Sequence, residues 1–234
     1  MGPVLPRLST LPSDLRFRLR LQHGHDLATG ETVAAEVWPS WHRADRPFPA
    51  AAIRDRGAAT HALLRAAAEQ ARRTGGVPIA VNADARALAD GSLAAATEAA
   101  LAATGCPPTR LSIEIPEPML ETIDAAPLLA LGVGLVADHY GTGAMSLRLL
   151  AALPPVAIKL DAGLVREIDQ SPSRQALVRA LVAVAGVRDI AVAACGIEAE
   201  AERAVLAVLG VRTGQGPLFA ATEPPAAETA PSRV

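Results

Sequence analysis

From residue 15 to residue 216 the chain repeats one unit: a short apolar run ending on a polar residue or glycine, then a stretch of helical period. The runs "VPIAVNA", "RLSIEI", "VGLVAD", "PVAIKLD" and "VRDIAVAACG" have strand length. Helical segments follow them. Residues 59–73 carry one stripe of Leu63, Leu64, Ala67, Ala68 and Ala71, and "GSLAAATEAALAATG" is closed by Gly105. A short "DAAPLLALG" and a helix over 144–153 come next. Ser171-Pro172 opens another helix, with Ala176, Leu177, Ala180, Leu181 and Val184 as its apolar face, and residues 199–209 form the last. At the start, "DLRFRLRLQ" and "TVAAEVW" flank the turn "DLATGE" and are expected to pair as an antiparallel hairpin. With "VRTGQG" the strands number eight. Strand–helix repeats close into a barrel or open into a doubly wound sheet, and length and even spacing favour the barrel.

The 234 residues are enough for one large core. Aromatics make up only 3 %, so that core must be Ala, Val, Leu and Ile, with helices packed closely on small side chains. A net charge of -2 gives no basic field for a long polyanion, which excludes nucleic-acid binding; a small phosphorylated ligand stays open, because a metal ion can supply charge locally. Cys106 and Cys195 form neither a disulfide framework nor a zinc pattern. No leader pattern or membrane-length apolar run is present, and the reading is a soluble, cytoplasmic chain without membrane contact. Residues 1–13 read as a linker, 14–222 as the barrel domain and 223–234 as a disordered tail.

Six polar residues recur near the C-terminal ends of apolar strands: Glu36, Asn82, Glu114, Asp138, Lys159 and Gln215. One acid at a strand end is more often a helix cap or a rim residue. In a barrel, however, those ends ring one mouth, and three carboxylates with an amide converging there call for a cation of the Mg, Mn or Ca kind.

Seven blocks in order then match a known family. "DLATGETVAAEVW" is like "DLATGEIVGAEAL", "VNADARALAD" like "VNLSARQL", "LSIEIPE" like "LELEITE" and "VADHYGTG" like "LDDFGTG". "AIKLDAGLV" is like "ALKIDRSFV", "AACGIE" like "VAEGVE" and "TGQGPLFA" like "YGQGYLFA". The chain resembles the EAL domain, a cyclic di-GMP phosphodiesterase, over about residues 15 to 222. The resemblance implies an α/β fold, a modified TIM (β/α)8 barrel with an antiparallel first strand. It also implies divalent Mg or Mn at the mouth and hydrolysis to linear pGpG. By position it makes Glu36, Asn82, Glu114 and Asp138 the metal ligands, with Glu36 and Lys159 catalytic. Glu198 becomes the anchor of the loop after the fifth strand, and Gln215 a ligand-binding residue.

The departures cluster. His139 and Cys195 stand where the family has carboxylates of its second metal, and Ser40 stands where it has a phosphate-contacting arginine. One hard-cation site is therefore expected at most. Asp, His and Cys also suit zinc or iron, so an altered second site and a degraded one, with His139 bonded to a neighbour and Cys195 a small buried side chain, both stand. Arg43 is a candidate replacement for the absent guanidinium. Trp38 could fill the pocket or stack on a guanine. His23, His25, His42 and His61 read as surface or packing residues. The expected function is a degenerate EAL domain that binds cyclic di-GMP or a protein partner with little or no hydrolysis, with a homodimer suggested by resemblance. The alternative is an active phosphodiesterase.

Overall fold

The computed structural model describes residues 14–141, 153 and 155–219. The expected linker 1–13, the tail 223–234 and all but the last residue of the expected helix 144–153 lie outside the described residues. The strands are β1 (Leu15–Asp26), β2 (Thr32–Arg43), β3 (Arg46–Pro47), β4 (Ile79–Asn82), β5 (Leu111–Pro116), β6 (Gly134–Tyr140), β7 (Ala157–Leu160), β8 (Ala191–Cys195) and β9 (Thr213–Gln215). The described helices are α1 (Arg56–Arg73), α2 (Ala85–Ala89), α3 (Ser92–Thr104), α4 (Glu117–Leu120), α5 (Ala126–Ala130), α6 (Ala162–Val165), α7 (Pro172–Gly186) and α8 (Glu200–Val208).

Strands β2, β4, β5, β6, β7, β8 and β9 run parallel, and β1 closes the ring by pairing antiparallel with both β2 and β9. This is the expected eight-stranded barrel with its reversed first strand. The hairpin is longer than the sequence suggested, because β2 continues past Trp38 to Arg43. Pro39 sits inside that extension without harm. Beyond Val37 the strand pairs with β1 but no longer with β4, so a missing N–H on the open edge breaks no ladder. Ala44 and Asp45, with φ of 47° and 60°, then turn the chain into β3.

Helix α1 begins earlier than its apolar stripe because Asp55 caps it, accepting the Ala58 N–H at 2.9 Å. Its Leu64, Ala67, Ala68 and Ala71 are buried, as are Ile79, Val81 and Ile113 on the strands β4 and β5 that it packs against, and each such Ile or Leu stabilises by roughly 1.5–3 kcal/mol. Gly105 ends α3 in the left-handed region, as expected. Helix α7 departs from expectation. Ser171 caps it, but its buried residues are Val178, Leu181 and Ala185, while Leu177 and Val184 are exposed among the described residues. Apolar residues occupy both sides of this helix, so period alone could not choose the face.

Inside the barrel, small residues such as Ala80, Ala157 and Ala193 leave a cavity of about 320 Å³ beneath Glu36, Glu114 and Lys159. Among the described residues no helix is long and apolar enough to cross a membrane.

Candidate functional site

Strand alternation builds the mouth. Val37, Ile113, Ala137, Ile158 and Leu160 are buried on the helix side, which turns Glu36, Glu114, Asp138 and Lys159 inward. Asn82 and Glu114 are register partners at the ends of β4 and β5, and Cys195 and Gln215 are partners at the ends of β8 and β9. Lys159 is the only lysine in the chain. Its Nζ donates to Glu36 Oε2 at 2.8 Å and to Glu114 Oε2 at 2.7 Å, and lies 3.8 Å from Asp138 Oδ1. Glu36 also accepts from Gln215 Nε2 at 2.9 Å and from Asn82 Nδ2 at 2.5 Å. Thus the six strand-tip residues picked from the sequence meet at one point.

Burial sets the electrostatics. It raises the Glu36 carboxyl, but the Lys159 charge and the hydrogen bonds from Lys159, Gln215 and Asn82 outweigh it and hold Glu36 below the ordinary range. For Glu114 burial wins: despite Lys159, and helped by the charges of Glu36 and Asp138, its carboxyl is pushed up to about 8. Burial works against the Lys159 charge, yet Cys195, Glu114, Glu36 and Asp138 hold it above the usual lysine range. Burial likewise pushes the Cys195 thiol up to about 12, against the pull of Lys159, so without a metal it is a protonated thiol at neutral pH.

Three carboxyls facing one ammonium leave negative charge in excess when all are ionised, which adds to burial in keeping a proton on Glu114 at neutral pH. A hard divalent cation would offset that excess, so Glu36, Asn82, Glu114 and Asp138 fit one in charge and donor type. Lys159 is the present common partner. Among the described residues no three His, Cys, Asp or Glu side chains are gathered into a ready ligand set.

The tip of β6 is bulged. Its pairing with β7 slips between Ala137 and Tyr140, and His139 takes φ 55°, a sparsely populated region for a side-chain-bearing residue. The slip keeps Asp138 inward while His139 turns out to solvent. There Nε2 lies 3.4 Å from Asp138 Oδ2 and Nδ1 lies 3.2 Å from Asp161 Oδ2. His139 is thus hydrogen-bonded to Asp161, with Asp138 at ion-pair distance from its other ring nitrogen. Next along, Gly141 has φ 101°, and a Cβ there would stand 2.3 Å from Leu164 Cδ1. Its N–H donates to Glu117 Oε2 at 2.9 Å, and Glu117 is buried. Sequence reasoning missed Glu117, although it sits three residues beyond Glu114, at the start of α4, inside a block already singled out.

Glu198, the expected anchor of this loop, is exposed and pairs with Arg166 at 3.0 Å. The buried acid nearby is Glu202, which accepts the N–H groups of Glu198, Ala199 and Glu167. Ser40 lies exposed on β2. Arg43 is directed elsewhere, its Nε 3.2 Å from Asp14 and its guanidinium 4.5 Å over the Phe48 ring. Trp38 is 48 % exposed and edges a cavity of about 320 Å³ shared with Asn82 and Arg56; it does not fill that space. His25 is a packing residue, stacked on Phe219 with ring centroids 4.6 Å apart.

Comparison with known proteins adds the following. The EAL domain family profile matches residues 7–222. The protein named cyclic di-GMP phosphodiesterase PdeR, from Escherichia coli K12, is 38 % identical over 152 residues, covering 62 % of this chain and 23 % of its own length. This chain therefore corresponds to under a quarter of that relative. The solved structure described as PaMucR phosphodiesterase in complex with c-di-GMP aligns with TM-score 0.76 and 26 % identity, covering 92 % of this chain and 93 % of its own. Klebsiella pneumoniae BlrP1, described as a manganese/cy-diGMP complex, aligns with TM-score 0.72 and 28 % identity over 90 % of this chain and 56 % of its own.

Proposed function

The chain belongs to the EAL domain family, and from that premise we propose that its barrel mouth binds cyclic di-GMP beside one divalent cation, Mg or Mn, and hydrolyses it little or not at all. The domain then serves bacterial signalling as a nucleotide sensor or protein-interaction module. One observation carries this reading: a single ammonium-centred set of donors occupies the mouth, and the two flanking positions hold an outward imidazole and a protonated thiol. When bound, a divalent ion supplies Lewis-acid polarisation of a phosphodiester. The chain's own part is to hold that ion with Glu36, Asn82, Glu114 and Asp138. Gln215 fixes the Glu36 carboxylate, and Lys159 keeps positive charge beside it.

Calorimetry with cyclic di-GMP in the presence of Mn, with chromatography of the same samples for pGpG, tests the reading. Binding without turnover is expected; turnover abolished by Glu36→Ala overturns it. A second reading, an active metal-dependent phosphodiesterase, is favoured by the convergence of Glu36, Asn82, Glu114, Asp138 and Lys159, and the same chromatogram decides it. Pairing of two copies and docking of a protein partner belong to the same proposal, and light scattering on the purified chain reads the first.

A further inference from the structure

The hairpin that closes the barrel has one face open to the mouth. Along β1, Leu15, Phe17 and Leu19 are buried while Arg16, Arg18 and Arg20 are exposed. The pairing with β2 is unbroken from Leu15 to Gly24, which sets Gln22 opposite Glu36, Arg20 opposite Trp38 and Arg18 opposite Ser40. Directly opposed residues share a face of the sheet, so these arginines stand on the same side as Glu36. Trp41 belongs to the other face, buried with its ring 4.8 Å from Phe17, whereas Trp38 is 48 % exposed. Trp38 and Arg20 stand two residues beyond the Glu36–Gln22 pair, about 7 Å along the strand at roughly 3.3 Å per residue, within an arginine's reach of the mouth.

A solvated arginine on a hairpin is ordinary by itself. Here the surroundings differ. The carboxyls Glu36, Glu114 and Asp138 outnumber the single ammonium of Lys159 at the mouth, so positive charge at the rim would favour an anionic ligand there beyond what a bound cation supplies. Two other arginines near this mouth are committed: Arg43 to Asp14 and Phe48, and Arg56 to Asp84 and the Ala50 carbonyl. Among the described residues no hydrogen bond or ion pair engages Arg20. An open aromatic face stands directly across from it.

We propose that Arg20 and Trp38 form a rim subsite for the cyclic dinucleotide, the guanidinium gripping two oxygens of one phosphodiester and the indole stacking on a guanine. This rests on the reading of the mouth as a cyclic di-GMP site. The subsite comes from a cross-strand pair on β1 and β2, so it places the ligand without any added metal ligand.

Calorimetry with cyclic di-GMP and Mn on the wild type, Arg20→Ala, Arg20→Lys and Arg65→Ala tests it, each variant first checked by circular dichroism for an unchanged fold. Arg20→Ala is expected to weaken binding about tenfold to a hundredfold, as for loss of hydrogen bonds to a charged group. Arg20→Lys restores only part of the loss, because an ammonium lacks the two-pronged geometry, and Arg65→Ala changes nothing. Iodide quenching of Trp38 fluorescence should fall on ligand addition, since Trp41 is already buried. Wild-type binding matched by Arg20→Ala overturns this inference alone. No binding by the wild type overturns the reading of the mouth, and this inference with it.

Discussion

Replacing Lys159 with Met tests the charge arrangement of the mouth most directly. The change removes the ammonium that lies 2.8 Å from Glu36 and 2.7 Å from Glu114 and leaves a thioether of similar length. Glu114 is already pushed to about 8 with the amine in place, so it is protonated in both proteins at neutral pH. Glu36 is the group that changes. The amine is what holds its carboxyl below the ordinary value of 4.5 against burial. Without the amine, Glu36 must take up a proton. At about pH 8 that uptake costs roughly 1.4 kcal/mol per pH unit above an ordinary carboxyl, or ~5 kcal/mol. Breaking a buried pair by removing one partner costs about 3–5 kcal/mol, the same range. The sign follows from linkage. The folded variant binds a proton that its unfolded chain has released, so its deficit relative to wild type grows as pH rises above 4.5 and shrinks to ~1 kcal/mol by about pH 5.5.

Urea denaturation followed by circular dichroism, with chelator present, measures both values. The same titration at about pH 8 with Mn should shift the midpoint more in Lys159→Met than in wild type, because a cation replaces the missing ammonium. Equal deficits at the two pH values, or a deficit below about 1 kcal/mol at the higher one, would refute the reasoning.

The metal-free wild type should itself lose stability as pH rises from 4.5 towards about 8, since folded Glu114 keeps a proton that the unfolded chain gives up; Glu114→Gln should flatten that slope in the same urea series. Glu117→Ala leaves the Gly141 N–H unpaired and should cost about 1–3 kcal/mol, with faster hydrogen exchange at the Gly141 amide read by NMR. On α7, Val178→Ala should lower stability by about 1–3 kcal/mol while Leu177→Ala stays within about 0.5 kcal/mol, a contrast that thermal denaturation resolves.

The barrel was legible because a buried strand advertises itself twice: by its apolar run and by the polar residue where it leaves the core. Glu36, Asn82, Glu114, Asp138, Lys159 and Gln215 all obey that rule, and all meet. What escaped depends on contacts between distant segments. The extension of β2 through Pro39 is permitted only because β4 ends its pairing at Val37. The face of α7 is chosen by what lies beneath it, and a helix apolar on two sides does not announce which one that is. Glu117 and Glu202 are buried acids whose partners are backbone N–H groups, including Gly141 for one and Glu167 for the other, and no spacing rule links them. A signal for Lys159 was present and went unused: a chain that otherwise places arginine at every basic position has one lysine, at the centre of the site.

That exception has a physical reason. Carboxylates arriving from separate strands of a barrel converge on a point. A guanidinium is a planar fork suited to one carboxylate edge, whereas an ammonium is a compact charge with three donors that several acids can share. The same compactness makes it exchangeable. Glu36, Glu114 and Asp138 would share their oxygens between Lys159 and a divalent cation, so holding one would require Glu114 to give up its proton and the Lys159 contacts of 2.7 and 2.8 Å to weaken. Cation binding at this mouth, as proposed, would be coupled to proton release and should strengthen as pH rises towards about 8. Arg20 on β1 stands outside that competition. In the proposed rim subsite it would hold an anion whether or not the ammonium had given way, which would separate binding of a dinucleotide from any chemistry done upon it.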